Sequence, residues 1–364
     1  MIKILHILSA LDGGGVESML KSYYEQIENC NVQFDFIVHG SKVGILENFF
    51  LQKGCHIYHI SPKKKNFFKY RHELKTILKM NRYDIVHCHQ GEKGHLVVKY
   101  AKELSKAKCI CHAHGSFPYK AVWKRILHSW RLKRIVHYTD AYCACSQDAA
   151  KNTFGEKTCK EYPIQIIYNA FKLENFYYNQ QNRESIRLSN NIKEEDFLLG
   201  MVGRLSIEKN HKFIFEVLTK IENPYIKLMI IGDGPLYGDL QKYVVANHLV
   251  EKVIFIGKVQ DSWRYYSALD MFLFPSLFEG LGLALVEAQI NGLPCLISEN
   301  ISEDAIIAKE QVKVEKLILD KWVNILENYK DMHDRRNLVV KTFEKYDIRT
   351  QYNNLLELYW RLLK

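Results

Sequence analysis

The stretch LFPSLFEGLGLALVEAQINGLP, from Leu273 to Pro294, decides the fold. A short apolar run meets Pro275, small residues follow, and a second apolar stretch begins at Leu281. The first run reads as a strand at 272–274, the small residues as a turn at 279–282 and the second run as a helix at 283–291. Strand, glycine turn and helix make the unit from which parallel sheets are built. Two carboxylates interrupt the apolar surroundings. Glu279 stands before the helix and Glu287 within it, about two turns further on at roughly 1.5 Å per residue.

The same unit recurs along the chain. Strand-like runs fall at 2–8, 33–39, 56–60, 84–89, 108–112, 141–145 and 165–168, with helical patterns such as 17–27 and 68–80 between them. After Asn169 a polar segment follows, including Asn179-Gln180-Gln181-Asn182-Arg183. The series then restarts at 198–202, 226–231, 253–256, 271–274 and 294–297. Apolar strands alternating with helices mean parallel sheets covered on both faces. Two series mean two doubly wound, Rossmann-like α/β domains, as a length of 364 residues also favours.

Composition narrows the class. A hydrophobic fraction of 47% excludes a disordered chain. No apolar run reaches the roughly 18 residues that a membrane span needs. The start, Met-Ile-Lys-Ile-Leu-His-Ile-Leu, has no cleavage site of small residues and reads as a first strand. Nine cysteines, an odd count, lie in strand-like runs and read as reduced thiols of a cytoplasmic protein.

The net charge of +10 concentrates at Pro62-Lys63-Lys64-Lys65 and in SFPYKAVWKRILHSWRLKRIVHYT, from Ser116 to Thr139. The latter holds six Lys or Arg and no acid, with Trp123, Ile126, Leu127 and Trp130 at helical spacing. A basic amphipathic helix with tryptophans suits an anionic membrane surface. A half-buried helix with a solvated basic face is the plainer reading. No nucleic-acid motif accompanies the charge, so nucleic acid is not expected as a partner.

In doubly wound domains ligands bind beyond the carboxyl ends of the strands. After the first strand come Gly13, Gly14 and Gly15, which let backbone amides approach an anion closely. The pattern is not G-x-G-x-x-G, so a dinucleotide oxidoreductase is weakly supported. A plain tight turn is the alternative. After the first strand of the second series, Arg204 and Lys209 lie at a helix start, where cations oppose the helix dipole. An anionic ligand explains them, a guanidinium fork and a mobile ammonium both suiting phosphate oxygens. IIGDGPL, from 230 to 236, is a further glycine-rich turn. Between Glu279 and Glu287, amides at a helix N-terminus offer a phosphate site, flanked by carboxylates suited to hydroxyls of sugar and ribose. Paired hydrolytic carboxylates are the rival reading, but the cations and glycines fit a nucleotide better.

These residues together resemble the family 4 glycosyltransferases of the GT-B fold, and within them bacterial enzymes of capsular or exopolysaccharide assembly. The strongest mark is the E-x7-E element of Glu279 and Glu287. GRLSIEKN, IIGDGP, VIFIGKV, GGGVES, HAHGS and ACSQDAAKNTFG add to it in the expected order. The resemblance implies an acceptor-side domain at 1–170, a nucleotide-sugar-binding domain at 171–345 and a last helix at 346–364 that returns to the first domain, with the domains facing across a cleft. It implies retaining transfer of a sugar from a nucleotide diphosphate donor, usually uridine-linked, to a glycan or lipid-linked acceptor. Arg204 and Lys209 match the diphosphate cations, and Gly14 and Gly15 the loop that closes on the phosphates. Amides around Leu281, Gly282 and Leu283 match the diphosphate cradle. Glu287 matches the ribose ligand, and Glu279 the glutamate facing the donor sugar. His114, before Gly115, matches the histidine near the reacting carbon better than His112 does.

Such a site stabilises the charge of the leaving diphosphate. No Asp-x-Asp occurs in the chain, which fits transfer without a metal or other cofactor. HCHQ at 87–90 and CICHAH at 109–114 invite a zinc reading, but C-x-C and H-x-H inside strands lack the usual turn geometry, so no metal is assigned. The expected place of work is the cytoplasm, with peripheral attachment to the inner membrane face. A catalytically silent glycosyltransferase-like binding subunit is the alternative, and a phosphorylase or sugar-nucleotide epimerase a weaker one. Intact Arg204, Lys209, Glu279 and Glu287 favour the enzyme.

Overall fold

Among the described residues, two all-parallel sheets carry the fold. The structure, a computed structural model, describes residues 1–115, 122–279, 281–329 and 340–364. The chain divides into two compact units, Met1–Lys172 with Lys345–Lys364, and Leu173–Glu344.

The first unit holds β1 (Ile2–Ile7), β2 (Val32–His39), β3 (Ile57–Ile60), β4 (Ile85–Cys88), β5 (Lys108–Ala113), β6 (Ala141–Ala144) and β7 (Ile164–Ile166). Their order is β3-β2-β1-β4-β5-β6-β7, so the winding reverses between β1 and β4. The strands are apolar on both faces because both faces are covered. On one face Ile4, Phe34, Phe36 and Ile110 pack against Leu20, Tyr23, Tyr24 and Ile27 of the helix Gly15–Ile27. Leu355, Leu356 and Tyr359 of the last helix, Ile348–Leu363, join this core. The side chain of Asp347 caps that helix, accepting from the amide of Arg349 at 2.9 Å. The opposite face packs Leu5, Ile7 and Val86 against Tyr70, Leu74, Val97 and Val98.

The second unit holds β8 (Phe197–Val202), β9 (Ile226–Ile231), β10 (Val253–Gly257), β11 (Met271–Phe274), β12 (Cys295–Ser298) and β13 (Val312–Glu315), in the order β10-β9-β8-β11-β12-β13. Its winding reverses between β8 and β11. Leu199, Leu228, Ile230 and Leu273 form a core with Ile214, Phe215, Leu218 and Trp322. The strand β13 has no counterpart in the sequence reading. It is a polar edge strand, VKVE, paired on one side only, to β12. The helix of the opening stretch ends at Ile290, one residue before the expected end.

All nine cysteines are free. Burial pushes the thiols of Cys88, Cys109 and Cys143 up to about 12, so they stay protonated. Among the described residues no helix is long and apolar enough to cross a membrane.

Candidate functional site

The loop that carries Arg204 and Lys209 is held by glycines from the next strand's loop. Gly232 lies so close to it that an added Cβ would stand 1.9 Å from the carbonyl oxygen of Gly203. A Cβ on Gly234 would meet the carbonyl oxygen of Leu205 at 2.3 Å. Backbone bonds close the contact: Leu205 N donates to Asp233 O at 3.0 Å, and Leu236 N to Leu205 O at 3.1 Å. IIGDGP is therefore a backbone buttress under the cation loop, and only glycine permits that approach. Arg204 extends into solvent from this support.

Lys209 points back toward the opening stretch. Its Nζ lies 2.5 Å from Oε1 of Glu279 and 4.7 Å from the centre of the Phe274 ring. Ser276 Oγ donates to the same carboxylate oxygen at 2.9 Å. The backbone ties the two loops together, Leu277 N donating to Glu208 O at 2.8 Å and Asn210 Nδ2 to Pro275 O at 3.2 Å. Gly282 adopts the left-handed conformation (φ +69°) and caps the helix Leu283–Ile290. Gly282 offers no side chain as a cap, and Leu285 N donates to its carbonyl at 2.9 Å, so the amides of Leu283 and Ala284 are the ones left to face an anion. Leu281 is buried behind them. Gly280 lies outside the described residues.

Glu287 is half-buried on that helix and accepts a hydrogen bond from the hydroxyl of Tyr266 at 2.6 Å. Burial raises its carboxyl to about 7, with the Tyr266 bond and the Lys209 charge opposing the rise. Tyr266 is fully buried and was not singled out in the sequence. Its spacing from Glu287, across a loop and a strand, leaves no signal there. The second unit thus brings Lys209 and Glu279 into contact beside an uncapped helix, with Arg204 on the same loop as Lys209 and Glu287 on the helix.

In the first unit, Gly14 is the N-cap of the helix that Gly15 begins, again without a side-chain cap. A Cβ on Gly14 would meet Glu17 Oε2 at 2.6 Å, a contact the flexible Glu17 side chain can relieve by turning away. His114 follows β5 and is half-buried, whereas His112 within β5 has no exposed surface. Both belong to a group of five imidazoles that the zinc argument from spacing had set aside. Parallel register puts them together: His6 on β1 pairs with His87 on β4, and His89, His112 and His114 follow on the same face. His6 Nδ1 and His89 Nε2 are 2.9 Å apart, His89 Nδ1 and His114 Nε2 2.8 Å, and His87 Nε2 and His112 Nδ1 3.1 Å. Burial lowers His6 and His114 to about 3 and holds His87, His89 and His112 well below the usual imidazole value, so all are neutral.

Of the basic stretch, residues 116–121 lie outside the described residues. The rest forms the helix Val122–Tyr138. Trp123, Ile126 and Trp130, three and four apart, are 64%, 66% and 49% exposed on one face. The guanidinium of Arg134 lies 4.9 Å from the Trp130 ring centre.

Both halves of the chain match known families. Residues 13–175 match Glycosyltransferase Family 4, and residues 182–333 match Glycosyl transferases group 1. The capsular polysaccharide biosynthesis glycosyltransferase CapH of Staphylococcus aureus is 26% identical over 99% of this chain and 99% of its own length. The UDP-Gal:alpha-D-GlcNAc-diphosphoundecaprenol alpha-1,3-galactosyltransferase of Escherichia coli is 27% identical over 89% of this chain and 87% of its own. The crystal structure of Anabaena Alr3699/HepE in complex with UDP-glucose superposes with a TM-score of 0.79 at 16% identity, covering 99% of this chain and 100% of that one. Matched in both halves and in fold, the chain belongs to the family 4 glycosyltransferases and has the GT-B fold.

Proposed function

We propose that this glycosyltransferase moves a hexosyl or N-acetylhexosaminyl group, with retention, from a UDP-sugar to a glycan or lipid-linked acceptor in cell-surface polysaccharide synthesis. The observation that carries the reading is the Lys209–Glu279 pair beside the uncapped helix Leu283–Ile290. Arg204, Lys209 and the amides of Leu281, Gly282 and Leu283 hold the diphosphate, and the family resemblance assigns Gly14 and Gly15 to the phosphates as well. Glu287 accepts from the ribose hydroxyls, and Glu279 faces the sugar. As the sugar–phosphate bond breaks, charge grows on the diphosphate, and the cations and amides stabilise it. The family resemblance assigns His114 to the reacting carbon. The acceptor attacks from the face that the diphosphate leaves, and a phosphate oxygen takes its proton. The diphosphate needs no metal, since the protein supplies the positive charge.

The named donors and acceptors of relatives support the substrate classes. UDP-glucose is bound in the Alr3699/HepE structure, and the E. coli relative is named for UDP-Gal and a diphosphoundecaprenol acceptor. The exposed Trp123, Ile126 and Trp130 on a basic helix support docking on the anionic cytoplasmic face of a membrane, where a lipid-linked acceptor would lie. The test is a screen of nucleotide sugars with the purified protein and a lipid-linked diphosphate acceptor. Turnover of a UDP-sugar, with the anomeric configuration kept, is expected. Binding of nucleotide sugars without any transfer or hydrolysis would instead make the protein a silent binding subunit.

A further inference from the structure

Five imidazoles share one face of the first sheet at the carboxyl ends of β1, β4 and β5, where the winding reverses. Doubly wound sheets place their ligand sites at such a reversal. Four of the five are buried, and for three of these, His6, His87 and His89, one nitrogen from each lies within 4.8 Å of the others. The group offers imidazole nitrogens alone, a donor set that suits zinc, nickel or copper and not magnesium or calcium.

We propose that His6, His87 and His89 form a transition-metal site holding one divalent ion of the zinc class. Metal-bound histidines usually anchor the second ring nitrogen on a neighbour. Two of these three do so. His89 Nδ1 is 2.8 Å from His114 Nε2, and His87 Nδ1 is 2.9 Å from the hydroxyl of Tyr359. His89 thereby turns its Nε2 inward, 2.9 Å from His6 Nδ1, whereas His87 Nε2 lies 3.1 Å from His112 Nδ1 and leaves that contact to join the ion. Nitrogens on a tetrahedral zinc are about 3.3 Å apart, given bonds of about 2.0–2.1 Å. The His6 and His89 rings need to part by only about 0.4 Å to admit the ion. No proton is lost. Each neutral ring gives its inner lone pair to the metal and keeps its N–H on the outer nitrogen.

Two consequences follow from the atoms involved. The ion joins β1 to β4 beneath the last helix, through His87 and Tyr359. It also makes His89 a fixed donor to His114 Nε2, which leaves the N–H of His114 on Nδ1. The metal is thus a structural ion of the first unit that sets a tautomer. The inference stands independently of the transfer reading, since the site can fill in a protein that transfers nothing.

The test uses the full chain, purified without a histidine tag from zinc-supplemented cells and passed through gel filtration in excess chelator. About one zinc per chain is expected, falling below about a tenth in His6→Gln and in His87→Gln. Protein from cobalt-supplemented cells should show the visible bands of a tetrahedral ion, and X-ray absorption should show a shell of three imidazoles and one further light ligand such as water. These two measurements on the unsubstituted chain decide the matter even if the variants fail to fold. Less than a tenth of an equivalent of zinc, nickel and cobalt in the unsubstituted protein would overturn the proposal. So would a full equivalent retained in both folded variants. In either case the imidazoles are joined by hydrogen bonds alone.

Discussion

Lys209 Nζ stands 2.5 Å from Oε1 of Glu279, an oxygen that the Ser276 hydroxyl also reaches at 2.9 Å. The ammonium proposed for the diphosphate is therefore already engaged by the carboxylate proposed for the sugar. A diphosphate must compete with Glu279 for it, and success would release Glu279 toward the sugar. In Glu279→Gln the ion pair is gone while the polar contact with Ser276 can persist. UDP-sugar affinity should hold or tighten in that variant while transfer falls about 100-fold. Calorimetry beside a turnover assay separates the two, and parallel loss of affinity and rate would contradict the exchange of partners.

Glu287 gives the donor site a pH dependence. Its carboxyl is raised to about 7, and ribose hydroxyls donate best to the ionised form. Affinity for a UDP-sugar, whose diphosphate does not titrate near neutrality, should rise by up to about tenfold from about pH 6 to about pH 8. Glu287→Gln should be weaker and flat across that range. A pH-independent affinity in the unsubstituted protein would remove Glu287 from the ribose contact.

The buried imidazoles make the fold sensitive to acid. His6 is held near 3, whereas in the unfolded chain it titrates near the ordinary imidazole value of 6.5. Below the unfolded value the unfolded state takes up protons that the folded state refuses. Stability is therefore full above about 6.5 and falls until the pH reaches the folded value. His6 alone contributes a loss of about 1.4 kcal/mol per pH unit, and His87, His89 and His112 act in the same direction. Glu287 acts the opposite way, losing its contribution as pH rises from its ordinary range toward 7, but it is one group against five, His114 being lowered to about 3 as well. The melting temperature should drop steeply from pH 6.5 to 5, and a level profile there would contradict neutral burial.

The membrane docking proposed for the helix Val122–Tyr138 would have an electrostatic part and an apolar part. Each Lys or Arg near an anionic surface contributes about 1 kcal/mol, which salt weakens. The exposed Trp123 and Trp130 add insertion that salt does not remove. In vesicle co-sedimentation, changing Arg125, Arg131, Lys133 and Arg134 together to Gln should abolish the preference for anionic lipid, and Trp123→Ser with Trp130→Ser should lower the salt-resistant remainder. Equal binding to neutral and anionic vesicles would return the helix to an ordinary solvated surface.

The parallel strands were legible because burial on both faces leaves continuous apolar runs, as in Leu198–Leu199 and Ile230–Ile231. The edge strand β13 was not, because pairing on one side lets it keep Lys313 and Glu315. Glycine spacing marked the cation loop, yet IIGDGP read as another turn. Its use as a buttress depends on Gly232 meeting Gly203, a contact between loops that no local pattern encodes. The Lys209–Glu279 bond and the Tyr266–Glu287 bond are equally non-local. The histidines were visible, but their arrangement was not: the register of β1, β4 and β5 does the gathering, and no spacing within one strand encodes it.

The most direct test of the account is calorimetric titration of a UDP-sugar into the purified chain, without magnesium or manganese and with chelator present. Arg204→Ala and Lys209→Ala are measured beside it. The account predicts saturable binding at one site by the unsubstituted protein, and a loss of about tenfold or more in each variant, as removal of a charge facing a diphosphate requires. Binding that demands added metal, or that both variants keep in full, would contradict it.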